Sequence, residues 1–206
     1  TDLDFHELKL EANFRLFAKD LTSENTDSFL YRDFQARNIM LDDAGNPYFI
    51  DFQGGRKGPF YYDIASFLWQ ASAKYPHKLR RELIYEYYHS LKNYTEVPSV
   101  RHFVERLSLF VLFRTLQVLG AYCFRGYFER KKYFIDSIPA AMQNLRELLE
   151  LDVFHYPYMI DMLKRLTQLP QFAPKEEPRQ SRTDGLKTDD ASIFKGHPQD
   201  GPADVP

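Results

Sequence analysis

The sequence predicts an α+β protein that is mainly helical, with one helix, then a small β-hairpin, then a helical body. Three observations predict it. Residues 5–19 show apolar positions every three or four residues, and the short apolar runs 38–41 and 47–52 flank an Asp-Asp-Ala-Gly-Asn turn. From Asp63 almost to residue 169 the pattern is again helical. The 18 Phe and 14 Tyr in 206 residues favour a packed globular core.

The first helix is predicted by the spacing of Phe5, Leu8, Ala12 and Leu16, which lie on one face of an amphipathic helix. After it the period changes, and the runs 28–31, 38–41 and 47–52 are short and rich in strand-forming residues. Because "DDAGN" has turn chemistry at nearly every position, we expect the last two runs to form a hairpin.

The helical body is predicted as successive helices with recognisable starts. We expect Asp63 to cap the first of them, and Ser99 to open a long helix that reaches about residue 130. Pro76 opens another helix, and Ser137 is expected to cap a fourth helix with Pro139 in its first turn. The last helix covers residues 156–169.

The chain is expected to have one domain, residues 1–170, followed by a tail. Residues 171–206 contain five of the 12 prolines and almost no periodic apolar pattern, which predicts a disordered tail or linker.

Charge and composition disfavour several classes of function. The formal net charge is -2 with both signs interleaved, so we expect no nucleic-acid partner. The longest apolar stretch, residues 107–124, contains Arg114 and Gln117, which predicts a buried helix and no membrane partner. The single cysteine, Cys123, is interpreted as a small core residue of a protein in the reducing cytoplasm.

Polar residues stand at the edges of the short apolar runs, where they are costly unless they bind something. Asp33, Asn38 and Asp51 occupy these places, and a hairpin between them folds the chain so that Asn38 and Asp51 approach each other. Neighbouring carboxylates repel unless a cation neutralises them. Carboxylate and amide oxygens suit a hard cation such as Mg²⁺, which completes its shell with water and phosphate oxygens.

The order of three motifs resembles a known family. "YRDFQARN" fits the kinase catalytic-loop pattern H-R-D-x-x-x-x-N except at its first position, and "IDFQG" stands where kinases carry D-F-G. With "GPFYYDIASFLW" after them, the segment is similar to the aminoglycoside phosphotransferase and choline kinase superfamily, and within it to bacterial kinases of N-acetylated amino sugars. The resemblance implies the C-terminal lobe of a protein-kinase-like fold.

By position, the resemblance gives each residue a role. Asp33 is implied to be the catalytic residue that accepts the acceptor's proton, Asn38 and Asp51 to hold Mg²⁺ against the phosphates of ATP, and Asp63 to brace the catalytic loop. Other residues are candidates for substrate or phosphate contacts, with a solvated loop or a core position as the alternative: Arg56, Lys57, Tyr62 and Trp69.

Two departures leave alternatives open. The family's usual histidine is Tyr31 here, and no glycine precedes residue 29, so a Gly-rich phosphate loop is missing. Since the chain begins with Thr1, we expect the nucleotide-binding N-terminal lobe to lie upstream, and the fragment alone to be inactive. The leading hypothesis is a kinase lobe that phosphorylates a hydroxyl of a sugar or amino sugar. The alternative is a pseudokinase-like nucleotide-binding or regulatory module of a multidomain protein.

Overall fold

A computed structural model describes residues 3–172. It is mainly helical, as the sequence predicts, and contains two small β-ribbons. A 3₁₀ turn (Ala36–Asn38) precedes β2, and a π-helical turn (Phe124–Phe128) follows α4. In chain order the helices and strands are α1 (Glu7–Thr22), β1 (Ser28–Leu30), β2 (Ile39–Leu41), β3 (Pro47–Phe49), β4 (Arg56–Gly58), α2 (Tyr61–Leu68), α3 (His77–Leu91), α4 (Val100–Cys123), α5 (Lys132–Leu149) and α6 (Pro157–Thr167).

Residues 28–58, here called the hairpin segment, contain two antiparallel ribbons. The predicted hairpin is β2 paired with β3, with Ile39 opposite Phe49. The other ribbon pairs β1 with β4, a strand that the sequence analysis did not predict. Gly58 permits this pairing, since a Cβ there would lie 2.2 Å from Leu30 Cδ1. The β1–β4 ribbon thus joins the two ends of the hairpin segment.

The helical body, residues 61–167, contains most of the core. Helix α4 lies at its centre and packs against α5 and α2. Phe103, Leu107, Val111 and Leu112 on α4 are fully buried. By length and composition alone Val100–Phe128 would also suit a membrane span, and 44% of its most apolar window is buried within the protein.

Two sets of contacts attach helix α1 to the helical body. Phe17 stacks edge-on against Tyr156, with ring centroids 5.2 Å apart. Near the end of α1, Arg106 of α4 pairs with Glu24 and donates to the backbone carbonyl of Asp20. The segment before the hairpin is therefore fixed to the same core as the helices after it.

Two predicted helix starts are wrong. Helix α2 begins at Tyr61, so Asp63 lies in its first turn and is not its cap. Helix α5 begins at Lys132 rather than at Ser137, which places Pro139 inside the helix. Packing extends the start of α5, because Phe134 contacts the ring of Tyr122 on α4 (centroids 5.6 Å apart).

The predicted starts of α3 and α4 are confirmed, and α4 ends earlier than predicted. Ser99 caps α4 by accepting the N–H of His102 at 3.4 Å, and Pro76 precedes α3. Helix α4 ends at Cys123, and the π-helical turn replaces its predicted last turns. Of the predicted tail, Phe172 packs against the core. Gln171 is exposed, and residues 173–206 lie outside the described residues.

Cys123 is only partly buried, in contact with the core. Burial raises the pKa of its thiol, which disfavours the nucleophilic thiolate. This agrees with the prediction of a packing role.

Candidate active site

Asp63 connects the helical body to the loop after β1. One carboxylate oxygen accepts the backbone N–H of Tyr31 at 2.6 Å, and the other accepts that of Arg32 at 2.9 Å. Burial raises the pKa of Asp63, the two N–H donors and the charge of Arg114 lower it, and the charge of Asp33 raises it again. Asp63 therefore lies where the sequence predicted a brace of this loop.

The backbone is left-handed at two positions of the site. Arg32 has φ 75° and Asp51 has φ 66°. A non-glycine residue in this region costs about 1–2 kcal/mol, and such strain persists only where the surroundings enforce it. At Arg32 the enforcing contacts are the bond to Asp63 and the donation from its guanidinium to Gly54 O at 3.3 Å. These contacts aim the next residue, Asp33, toward solvent, where it is exposed.

Asn38 holds the loop and the hairpin together. Its side-chain Nδ2 donates to the backbone carbonyl of Asp33 at 2.9 Å. The backbone carbonyl of Asn38 accepts the N–H of Ile50 at 3.0 Å. Ile50 directly precedes Asp51, so the backbone contacts link all three predicted residues. Asn38 is almost fully buried, and Asp51 is exposed with its Oδ1 accepting from Gln53 at 2.6 Å.

Tyr31 lies near the carboxylates of Asp33, Asp51 and Asp63 and connects the loop to the hairpin. Its hydroxyl donates to the carbonyl of Ile50, which ties the loop to β3. Burial raises the pKa of Tyr31, and the negative charges of Asp51, Asp33 and Asp63 raise it further. The three acids therefore act on one site electrostatically. Tyr31 thus connects the loop to the hairpin at the position where the kinase pattern has its histidine.

The oxygens present fit a hard cation. The amide nitrogen of Asn38 is used by the Asp33 carbonyl, which leaves its oxygen as an acceptor, and Asp51 contributes an exposed carboxylate. Residues 3–172 contain no group of three or more His, Cys, Asp or Glu side chains able to hold a metal. A pair of oxygen ligands matches Mg²⁺, which takes one or two protein oxygens and fills its shell with water and phosphate oxygens.

The other predicted contact residues separate into two groups. Arg56 and Lys57 lie exposed on β4, and Lys57 pairs with Asp27 at 3.2 Å. Tyr62 and Trp69 belong to the end of the helical body that faces the loop. Trp69 lines a pocket beside Gln35, two residues after Asp33.

Sequence reasoning missed Arg114 as a site residue, although it was noted as a charge inside an apolar run. Its Nη1 donates to the Tyr62 hydroxyl at 2.8 Å, and its Nη2 donates to Ser66 Oγ at 2.9 Å. It lines the same pocket as Trp69. The signal that points to it is the cost of placing a cation among buried apolar neighbours.

Comparison with known proteins finds two relatives that are named as kinases. The chain is 26% identical over 147 residues to an N-acetylmuramate/N-acetylglucosamine kinase of Pseudomonas aeruginosa, a match that covers 70% of this chain and 42% of the relative. It is 28% identical over 123 residues to a protein of the same name from Neisseria meningitidis serogroup B, covering 58% of this chain and 36% of the relative. The chain therefore spans less than half the length of either relative.

A family model supplies the remaining comparison. Residues 1–101, which include α1, the hairpin segment, α2 and α3, match the model of the phosphotransferase enzyme family. This match confirms the resemblance that the three motifs indicate. Through residues 1–101 the chain is similar to the phosphotransferase enzyme family.

Proposed function

We propose that the chain is the C-terminal catalytic lobe of an ATP-dependent phosphotransferase that phosphorylates a hydroxyl of an N-acetylated amino sugar. The observation that carries this proposal is the contact of Asn38 with the backbone of Asp33 and of Ile50, which brings Asp33 and Asp51 to one site. The family match and the names of the two relatives support the class of reaction and of acceptor.

In this proposal Asp33 acts on the acceptor. Its exposed carboxylate orients the sugar hydroxyl and takes its proton as the oxygen attacks the γ-phosphorus of ATP. The new P–O bond forms to the sugar, and the bond between the γ-phosphorus and the β-γ bridging oxygen breaks to release ADP. Asp63 keeps Asp33 in place through the backbone of Arg32.

Asn38 and Asp51 would hold Mg²⁺ in the same proposal. When bound, the ion supplies positive charge that neutralises phosphate oxygens during transfer. The left-handed backbone at Asp51 and its bond from Gln53 fix the direction of the carboxylate. Positioning and charge neutralisation carry most of the catalysis in phosphoryl transfer.

The test is transfer of radiolabelled phosphate from ATP to amino sugars by the protein expressed from its complete coding sequence. We expect Asp33→Asn to lower turnover by about 10²–10⁴-fold, as for loss of a general base, with an unchanged melting temperature. Asp43→Asn is the matched control, because Asp43 is an exposed turn residue of the same hairpin. Its turnover should equal that of the parent protein.

Two results would contradict the proposal. Full turnover in Asp33→Asn would remove the assigned role of this residue. Mg²⁺-dependent nucleotide binding without transfer to any sugar would select the pseudokinase-like alternative.

A further inference from the structure

A small pocket opens beside the loop that contains Asp33. It lies between α2, α4 and α5, and Gln35 forms part of its wall. The side-chain oxygen of Gln70, another wall residue, accepts the N–H of Ala36 at 3.2 Å, which fixes the pocket relative to the loop. A sugar that presents a hydroxyl to Asp33 therefore lies within reach of this pocket.

Arg114 is the charged residue in the wall of this pocket, and its protein partners are neutral. They are the hydroxyls of Tyr62 and Ser66 and the amide oxygen of Gln117. Its Nε is buried without a hydrogen-bond partner. The charge of Arg114 lowers the pKa of Asp63, but both carboxylate oxygens of Asp63 already accept backbone N–H groups.

In the described part of the chain, the positive charges of other arginines have negatively charged or dipolar partners. Arg80 lies 3.7 Å from the carboxylate of Glu147, and Arg106 also pairs with a glutamate. Arg146 donates to the backbone carbonyl of Thr167 at the C-terminus of α6, where the helix dipole is negative, and to that of Phe172 beyond the helix. Arg114 has neither kind of negative partner among residues 3–172. Its Nε, like those of Arg80 and Arg146, is a buried donor without a partner, and such a donor costs about 1–3 kcal/mol.

The size of the pocket limits which ligand groups can pair with the guanidinium of Arg114. Its volume is about 60 Å³, and one water needs roughly 10–15 Å³ on the same measure. The pocket thus holds a substituent of a sugar and not a whole sugar. Arginine binds a carboxylate through the N–H groups of its planar fork. The Nε of Arg114 is buried, whereas Nη2 donates only to the Ser66 hydroxyl, which leaves its second N–H for a ligand group.

We propose that Arg114 binds the carboxylate of an acidic acceptor sugar, so that the protein favours carboxylate-bearing amino sugars over neutral ones. This inference rests on the proposed function, because it assigns the acceptor class of the same site. The pocket wall also contains Thr115, whose hydroxyl suits the other carboxylate oxygen of such a substituent, and Asn144, whose amide already donates to Trp69 O and accepts from Arg80.

The test compares two acceptors that differ in one acidic group. N-acetylmuramate is N-acetylglucosamine with a lactyl ether that carries a carboxylate. We expect Arg114→Gln to lower kcat/KM for N-acetylmuramate by about 10- to 100-fold, mainly through KM, as for a lost hydrogen bond to a charged group. The ratio of the two sugars' kcat/KM should fall by about tenfold or more. Arg101→Gln, an exposed arginine of the same helix, is the control and should keep the ratio.

Equal losses for both sugars would show that Arg114 only supports the packing of α2 on α4, and would overturn the inference. An unchanged ratio would do the same. Calorimetric binding of N-acetylmuramate separates the two proposals. Arg114-dependent binding without phosphate transfer keeps the inference and rejects the proposed function, whereas absence of both binding and transfer rejects both.

Discussion

The helical body and the hairpin segment are held in place in different ways. Fully buried side chains such as Leu107 and Leu112 fill the body, whereas Met40, Leu41 and Tyr48 of the hairpin are more than half exposed. The hairpin segment depends on a small number of hydrogen bonds, several of them from the body. The body therefore supplies the free energy of folding, and the hairpin segment presents the polar groups of the site.

The largest expected effect on stability is in the helical body. Leu112→Ala removes a fully buried side chain from the centre of α4, so the free energy of unfolding should fall by about 2–5 kcal/mol. Urea denaturation followed by circular dichroism measures it. A loss below about 1 kcal/mol would mean that α4 is not the centre of the core.

An intermediate effect is expected at the link between the two regions. Asp63→Asn offers one oxygen where the carboxylate offers two, so one of the N–H groups of Tyr31 and Arg32 loses its acceptor. We expect a loss of about 1–3 kcal/mol. Amide hydrogen exchange should accelerate in residues 31–38 while the amides of α4 stay protected.

Asp161→Asn, at an exposed position of α6, is the control for this exchange experiment and should leave both regions unchanged. Equal acceleration in α4 would show that Asp63 supports the whole fold, and the distinction between body and hairpin segment would then fail.

The smallest effect is expected at the hairpin. Leu41→Ala is the same substitution as Leu112→Ala at an exposed position of β2, so the free energy of unfolding should change by no more than about 0.5 kcal/mol. The same urea experiment measures it. A loss comparable to that of Leu112→Ala would show that an apolar surface covers this strand in solution.

The features that the sequence predicts well are local. The β2–β3 hairpin follows from its turn, in which Asp42 accepts the N–H groups of Ala44 (3.0 Å) and Asn46 (2.8 Å). The start of α4 follows from Ser99 in the same way. Such signals lie within a few residues of the structure they produce, so one sequence suffices to read them.

The features that it does not predict join distant parts of the chain. Strand β4 forms because it pairs with β1. Arg114 is held at the site by its hydrogen bonds to Tyr62 and Ser66. The early start of α5 likewise comes from packing on α4. The assigned roles of Asp33, Asn38 and Asp51 remain predictions, because position brings them together without testing their chemistry.

The pairing of β1 with β4 has a consequence for how this segment can vary. Since Ser28 pairs with Gly58 and Leu30 pairs with Arg56, the chain between the two strands is a closed loop whose anchor points do not depend on its tip. Extra residues inserted at the exposed turn 42–46 would lengthen the loop at small entropic cost, about 0.6 kcal/mol for each doubling of its length. Insertions at that tip should therefore leave the geometry of the anchored base unchanged.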